Sequence, residues 1–269
     1  MWMHGARAMW FLLLLSACAT GSPRSVAGPV DAIDAGAVRP LTLRYRAVHR
    51  GDHPPWKYVA HVQIVRDTFG GEPAWRQTYR IEDLSPTGEL PARWQTTTVV
   101  HRDTLALLAG EDVSGGSFGE SRTHLVARGT RLVGESQARG STKALDIALR
   151  GFVAKDVDLL ALSVPLRRGY TMRFALINEA NDGLRPFSLA VERQERLRVP
   201  AGEFDAWRIA VTPLDGDRRL TATYHVRGAG PRVVLRREYV VNPETRGKIR
   251  RSTGVEELEA LQADLGRGR

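Results

Sequence analysis

The sequence predicts a mainly β domain built on an antiparallel sheet, and two observations support that fold class. From residue 41 onward, apolar side chains alternate with polar ones along successive short runs, as they do in strands that bury one face. Short glycine-containing segments separate these runs, as turns between neighbouring strands do. Helical spacing is confined to short stretches, so we expect one or two short helices and a helix at the C-terminus.

The first strands follow directly from this alternation. In 41–49, "LTLRYRAVH", apolar side chains occupy every second position, and the pattern recurs at 56–64 and 75–81. Gly70 and Gly71 mark the connection between the second and third strands. Further strands are predicted at about 93–100, 103–109, 121–127 and 130–137.

The middle of the chain is less uniform. "KALDIALRG", 143–151, fits either a strand or a helix. "DVDLLALSVPL", 156–166, predicts a short helix that has Asp156 as its N-cap and ends before Pro165.

Residues 187–241 predict four strands that form a meander with short turns. Gly202 and Gly216 lie in two of these turns, where a residue without Cβ adopts positive φ at little cost. Trp207 lies in the second of the four strands, and its large side chain is expected to be an important part of the local core.

The last segment, "GVEELEALQADL" at 254–265, predicts a helix. Two glutamates open it, where the helix dipole favours negative charge. We expect this helix either to pack its apolar stripe on the sheet or to bind a partner. The apolar positions with helical spacing are Val255, Leu258, Leu261 and Leu265.

The N-terminal segment predicts export. An apolar run that ends at Leu15 is too short for a membrane helix and fits a signal peptide at 1–17. The residues Leu15-Ser16-Ala17-Cys18 resemble the lipobox of bacterial lipoproteins. This resemblance implies cleavage before Cys18, attachment of diacylglycerol and palmitate to that residue and, because Ala19 follows it, an outer-membrane location on the periplasmic side. The alternative is an ordinary secretory signal that happens to include a cysteine.

Residues 18–40 are rich in Gly, Ala, Pro and Ser and have no sustained period, which is typical of a flexible tether. We expect 41–265 to form a single antiparallel β domain. Because Cys18 is the only cysteine, disulfides and thiolate metal sites are excluded.

The stretch "VPAGEFDAWRI", 199–209, resembles a hairpin motif of a large family of exported bacterial proteins of unknown function. Residues 158–169 and 223–239 are similar to the neighbouring elements of that family, so the similarity covers about 150–245. The resemblance implies a strongly curved sheet, a half-barrel or open barrel, with helical segments on its concave side. That architecture is similar to the carriers and acceptors of bacterial lipoproteins, which hold acyl chains in the concavity. The family has no established catalytic or binding residue to carry over.

The formal net charge is +9, and only four of the 39 basic residues are lysine. Such an arginine excess is explained by codon composition or by attraction to anionic lipid headgroups. Nucleic acid is not expected as a partner, because no recognition motif accompanies the cations and export separates the protein from DNA. The densest basic stretch is 227–251. In the alternative interpretation given below, an envelope protein contacts it through Arg236, Arg237, Arg250 and Arg251.

Motifs for catalysis are weak. Ser117 in "GGSFG", 115–119, has the spacing of a nucleophile elbow, but a strand-like pattern follows it where a helix is required. A glycine-rich hairpin loop is therefore favoured there. The "HRD" at 101–103 lacks the companion motifs of a protein kinase.

Motifs for metal binding and paired carboxylates are equally weak. His49 and His53 stand four apart in a segment whose Gly and Pro residues disfavour a helix, so they are not expected to share a metal ion. Asp215 and Asp217 flank Gly216 and are typical turn formers.

The sequence therefore predicts a non-enzymatic lipoprotein, anchored in the outer membrane through acylated Cys18 and facing the periplasm. We expect it to bind a hydrophobic or amphipathic ligand in the concavity of a curved sheet, with no catalytic residue, metal or cofactor. The alternative is an envelope interaction or scaffold module that uses the basic meander. A hydrolase with Ser117 as nucleophile is the third interpretation.

Overall fold

The computed structural model describes residues 33–50, 56–84, 93–116, 119–178, 183–216, 220–241, 244–245, 248–249 and 252–263. The predicted signal peptide, Cys18 and most of the predicted tether lie outside the described residues. Within the described ranges, the helices are all too short to cross a bilayer.

The described chain consists almost entirely of β-strands. A 3-10 turn at Ala35–Ala37 precedes them, and the single described α-helix, α1, is Asp158–Ser163. The strands are β1 Leu41–Arg50, β2 Trp56–Phe69, β3 Glu72–Asp83, β4 Arg93–His101, β5 Leu107–Gly115, β6 Ser121–Arg128, β7 Arg131–Ala138, β8 Ser141–Ala148, β9 Val153–Ala154, β10 Thr171–Asn178, β11 Gly183–Val199, β12 Gly202–Pro213, β13 Leu220–Arg227, β14 Val234–Val241, β15 Glu244–Thr245, β16 Lys248–Ile249 and β17 Ser252–Ala263.

Fifteen of these strands form one long sheet in the order β8-β7-β6-β5-β4-β3-β2-β1-β17-β14-β13-β12-β11-β10-β9, and β15 pairs only with β16. Neighbours in the long sheet are antiparallel except β9 and β10, which are parallel. Strands β8 and β9 are the two edges, so the sheet is curved but not closed. This confirms the predicted mainly β, antiparallel fold class.

Side chains from distant parts of the sheet meet in one core. Leu145 and Ile147 of the edge strand β8 belong to the same buried cluster as Phe174 and Phe187 of β10 and β11. The sheet therefore curls so that its concave face encloses the core. Every residue of α1 is buried within that core, where the helix packs against β13 and β14.

The predicted C-terminal helix is wrong, because the segment is strand β17, inserted between β1 and β14. Gly254, Glu256 and Leu258 are buried at every second position. A bulge opposite the Arg44/Tyr45 step then shifts the register, so that Leu261 also packs on the core. The bulge places the two leucines three apart, which imitates helical spacing.

The short helix predicted within 156–166 is confirmed as α1. Val157 occupies the N-cap position without a side-chain cap, and the Asp156 carboxylate instead accepts a hydrogen bond from the Asp158 N–H at 3.1 Å. The ambiguous segment that begins at Lys143 lies in strand β8 as far as Ala148.

The hairpin turn at 200–201 joins β11 to β12 and folds against β17. The Ala201 N–H donates to the Leu258 carbonyl at 3.0 Å, beyond the point where β14 stops pairing with β17. Leu197 and Val199, just before the turn, are buried. Gly202 has a φ of +134°, which disfavours a side chain. The turn thus covers the core at one end of the sheet.

The two ends of the sheet differ in their connections. At the end that we call the turn end, 70–71, 129–130 and 200–201 join strands tightly. At the opposite end, the loop end, the connections include 51–55 and 242–251.

Candidate functional site

Ionisable and phenolic side chains form one row across the concave face. In the register of the sheet, Tyr58 lies opposite Ala47, and Ala47 lies opposite Glu256. Glu256 in turn lies opposite Arg237, and Arg237 opposite Tyr224. Side chains at directly paired positions share a face, so these residues point together into the concavity.

Arg237 is the centre of this row. Its side chain is 8% exposed. The guanidinium binds both oxygens of the Asp158 carboxylate, with Nε 2.9 Å from Oδ1, and also donates through Nη1 to Glu256. It lies 4.3 Å from the ring centroid of Tyr45. Because an unpaired buried charge is strongly destabilising, these two carboxylates are what allow Arg237 to occupy the core.

The carboxylate of Glu256 is fully occupied. Its Oε1 accepts hydrogen bonds from the Tyr58 and Tyr79 hydroxyls, each at 2.7 Å, and its Oε2 accepts from Arg237. The hydroxyls of Tyr58 and Tyr239 lie 2.9 Å apart and share a further hydrogen bond. Burial and the nearby Glu256 carboxylate raise the pKa of both Tyr58 and Tyr79 well above the usual tyrosine value. These phenols are therefore hydrogen-bond donors throughout the physiological pH range.

Asp156 extends the network toward β3 and β4. Thr98 Oγ1 donates to Asp156 Oδ2 at 2.5 Å, and Gln77 Nε2 lies 3.3 Å from oxygens of both Asp156 and Asp158. The amide oxygen of Gln77 is buried without a partner among the described residues, so one acceptor remains available. We call Arg237, Asp158, Glu256, Asp156 and Gln77 the buried charge cluster.

Lys155 attaches the same segment to β5. Its ammonium group pairs with Asp112, whose other carboxylate oxygen accepts from Thr96 at 2.7 Å. The lysine stem lies across Gly110, where a Cβ would come within 2.4 Å of Lys155 Cδ. Glycine at 110 therefore makes room for a long side chain that crosses the strand.

The concave face has two walls that differ in polarity. The polar wall, on β3 to β6, presents Gln77, Thr98, Asp112 and Thr123. The apolar wall, on β10 to β12, presents Phe174, Phe187, Leu189, Val191 and Ile209. Segment 155–158 bonds to β3, β4 and β5 and, through Asp158, to β14. The segment thus ties one side of the curved sheet to the other.

Burial raises the pKa of Asp158 to about 6, although Arg237 beside it acts in the opposite direction and Asp156 adds to the rise. Burial also raises the pKa of Asp156, against the hydrogen bond from Thr98. The two carboxyls therefore hold protons more tightly than exposed aspartates do.

The charged groups of this network are bound to one another and tie segment 155–158 to the sheet. Within the described ranges, His, Cys, Asp and Glu side chains do not gather in threes as a metal ion would require. Next to Thr98, Asp156 and Leu160, the core leaves a cavity of about 10 Å3, which is room for about one water molecule. Helix α1 lies beside this cavity and packs against β13 and β14.

Half-buried aromatic side chains lie toward the loop end of the concave face, and we call them the aromatic rim: Trp56, Tyr79, Trp94 and Tyr239. The Trp56 ring lies 4.5 Å from that of Tyr58, and the Tyr79 ring lies 6.4 Å from that of Trp94. Tyr239 lies across Gly254, where a Cβ would be 2.0 Å from the phenol ring. The rim therefore combines aromatic surface with partial exposure.

Several residues singled out in the sequence lie outside the described residues: Cys18, His53, Ser117, Asp217, Arg250 and Arg251. The lipid attachment, the nucleophile-elbow interpretation and half of the proposed basic contact therefore stay predictions.

The other singled-out residues have structural partners. His49 Nε2 lies 2.5 Å from Ser252 Oγ, and the His49 ring stacks on Tyr239. Asp215 pairs with Arg185, with Oδ2 and Nε 2.8 Å apart. In the basic meander, Arg236 pairs with Glu257 and Glu238, and Arg237 is buried.

Sequence reasoning missed the buried charge cluster. Leu235, Arg237 and Tyr239 occupy alternate positions of β14 and therefore lie on the same face. This alternation was the signal in the sequence for an inward-facing arginine. Its partner Glu256 was hidden by the helical interpretation of 254–265.

No protein-family model matches the chain, and no curated protein matches it. Among solved structures, the fold is similar to a beta-barrel-like protein of the domain of unknown function DUF1849 from Brucella abortus. The TM-score is 0.55 and the sequence identity 11%, over 84% of this chain and 98% of that one. At this identity the likeness shows a β-barrel-like fold alone.

Proposed function

We propose that the protein is a non-enzymatic, lipid-anchored protein of the outer membrane that binds an amphipathic ligand at the aromatic rim. The single observation that carries this proposal is the position of the rim. Its half-buried rings lie at the concave, loop end of the sheet, directly beside the hydroxyls of Tyr58 and Tyr239. Aromatic surface next to a few fixed polar groups is the usual composition of a small-molecule site.

The cavity beside Asp156 is too small for the apolar part of this ligand. It holds about one water, so an acyl chain does not fit at this place among the described residues. The apolar part of the ligand is therefore placed against the rings of Trp56 and Trp94. Its polar part lies toward the tyrosine hydroxyls.

Tryptophan fluorescence tests the proposed site. The mature chain with Cys18→Ser is titrated with a fatty acid that carries a bromine quencher on its chain. Quenching by bromine requires close contact, so we expect saturable loss of emission from Trp56 and Trp94. Native mass spectrometry of the same sample should show the adduct.

Two variants make the test specific. Trp94→Ala should weaken binding about tenfold, because loss of one buried aromatic contact is worth on the order of 1.4 kcal/mol. Trp207→Phe is the matched control, because Trp207 packs beside Gly228 at the turn end, away from the rim. Equal effects of the two changes, or quenching that never saturates, would contradict a rim site.

The membrane anchor has a separate test. Labelled palmitate should attach to the wild-type chain and not to Cys18→Ser, and the variant should leave the membrane fraction. Two or more acyl chains hold a protein stably on a bilayer, so the expected change in fractionation is nearly complete. Membrane retention of the variant would remove the lipoprotein assignment.

A further inference from the structure

Exposed arginines without an acidic partner gather at the turn end of the sheet. Arg128 precedes the 129–130 turn, Arg150 follows β8, and Arg66 lies near the 70–71 turn. Arg167 and Arg168 follow α1, whose C-terminal carbonyls are bound by Arg232 of the 228–233 connection. Among the described residues, none of the five exposed arginines forms an ion pair.

Most carboxylates near this end are paired with arginines, whereas Glu72 lies 3.9 Å from His101. Asp146 pairs with Arg131, and Asp34 pairs with Arg232 at 3.5 Å. Asp103 lies 3.3 Å from its neighbour Arg102, and Asp67 pairs with Arg76. Since each of these aspartates has its own arginine, the unpaired arginines give the turn end a positive surface.

The described chain also enters the fold at this end. The Asp34 N–H donates to the Ser163 carbonyl at 2.7 Å, Val38 is fully buried, and β1 then begins at Leu41. Fourteen residues lie between Cys18 and Ile33, and the fifteen Cα–Cα steps that join the two span at most about 50 Å. Whatever Cys18 is attached to therefore lies within reach of the turn end.

We propose that the turn end docks on an anionic phospholipid surface, with its unpaired arginines bound to lipid phosphates. The planar guanidinium binds two phosphate oxygens at once, and each cation near such a surface strengthens binding by about fivefold. The cellular setting of this inference rests on the proposed lipid anchor. Docking would fix the sheet upright, with the turn end on the lipid and the aromatic rim facing away.

Vesicle sedimentation tests the docking surface on the mature chain with Cys18→Ser, so that acylation plays no part. We expect the protein to bind vesicles of phosphatidylglycerol mixed with phosphatidylcholine and not to bind vesicles of phosphatidylcholine alone. High salt should release the bound protein. The triple variant Arg128→Gln/Arg150→Gln/Arg167→Gln should bind about 100-fold more weakly, from three losses of about fivefold each.

A matched variant removes the same charge elsewhere. Arg50, Lys57 and Arg93 are exposed at the loop end, and their joint replacement by Gln should change the affinity by less than about threefold, since screening over a Debye length leaves a distant charge little effect. Equal weakening by both triples would show attraction by net charge alone and overturn the docking surface. So would failure of the starting protein to bind anionic vesicles.

The orientation of the bound protein on the vesicle provides an independent test. An environment-sensitive dye on Thr130→Cys, in the 129–130 turn, should shift its emission on anionic vesicles, and the same dye on Arg139→Cys at the loop end should not. The reverse result would contradict the proposed orientation. Because fatty acid binding at the rim is measured without vesicles, either proposal can fail while the other stands.

Discussion

On the apolar wall, Phe174, Phe187 and Ile209 are each at most 1% exposed, and their side chains are stabilised mainly by burial. On the polar wall, Gln77 and Thr98 are buried to 2% exposure, but their stability depends on partners in segment 155–158. The free energy gained by burying apolar side chains is roughly proportional to the area buried, and it changes little when one apolar side chain replaces another of similar volume. A buried polar network is less tolerant, because each lost partner leaves another group unsatisfied. The polar wall should therefore be the more sensitive side of the same core.

The largest expected effect comes from removing the cation of the buried charge cluster. Arg237→Leu should lower the free energy of unfolding by about 3–5 kcal/mol, because Asp158 and Glu256 would remain buried without their cation. Urea unfolding followed by circular dichroism measures the change. Adding Asp158→Asn and Glu256→Gln to this variant should recover part of the loss. A loss below about 1 kcal/mol would show that the buried charge cluster does little to hold the two sides of the sheet together.

A smaller effect is expected where the cluster meets the aromatic rim. In Gly254→Ala the new methyl group would overlap the Tyr239 ring, so the ring must move and its hydrogen bond to Tyr58 is lost. We expect a cost of about 1–3 kcal/mol in unfolding experiments, as in other overpacked sites. In a Tyr239→Ala background the same glycine change should cost much less, and additive losses would contradict the contact.

Two changes of similar size compare the walls directly. Thr98→Val replaces a hydroxyl by a methyl group and leaves the Oδ2 atom of Asp156 without its donor, so we expect a loss of about 2 kcal/mol. Ile209→Val removes one methylene from the apolar wall and should cost about 1 kcal/mol. Denaturant midpoints of the two variants give the comparison. The reverse order would mean that area, not hydrogen bonding, sets the sensitivity of both walls.

The smallest expected difference between the two walls is in the pH dependence of stability. Because burial raises the pKa of Asp158 to about 6, the folded protein holds this proton more tightly than the unfolded chain does. The bound proton of Asp158 therefore adds to the free energy of unfolding. This stabilisation is complete below about pH 4 and is lost as the pH rises through about 6, so the protein should become less stable over that range. Asp158→Asn should flatten the slope, whereas Ile209→Val should keep it. If the slope of the free energy of unfolding against pH is unchanged in Asp158→Asn, another group binds the proton.

The sequence was sufficient for most of the strands and the short helix, because alternation and turn residues are local signals, but β17 was interpreted as a helix and β8 was left ambiguous. The hairpin around 200–201 was also predictable, although its contact with Leu258 was not. Pairing of β17 between β1 and β14 is non-local, so no local pattern indicated it. The same limit concealed the candidate site, since Glu256 is an acceptable core residue only when Arg237 from another strand lies beside it.

The central position of β17 has a consequence for folding. Strands β1 to β8 pair with their sequence neighbours, and so do β10 to β14, but Leu41 pairs with Ala263 at the far end of the described chain. The two meanders can form soon after each emerges, whereas their union must wait for the last strand. We expect a partly assembled intermediate with two bare strand edges to persist until then. Such an intermediate is prone to aggregation, so the chain should depend on chaperones during its biogenesis.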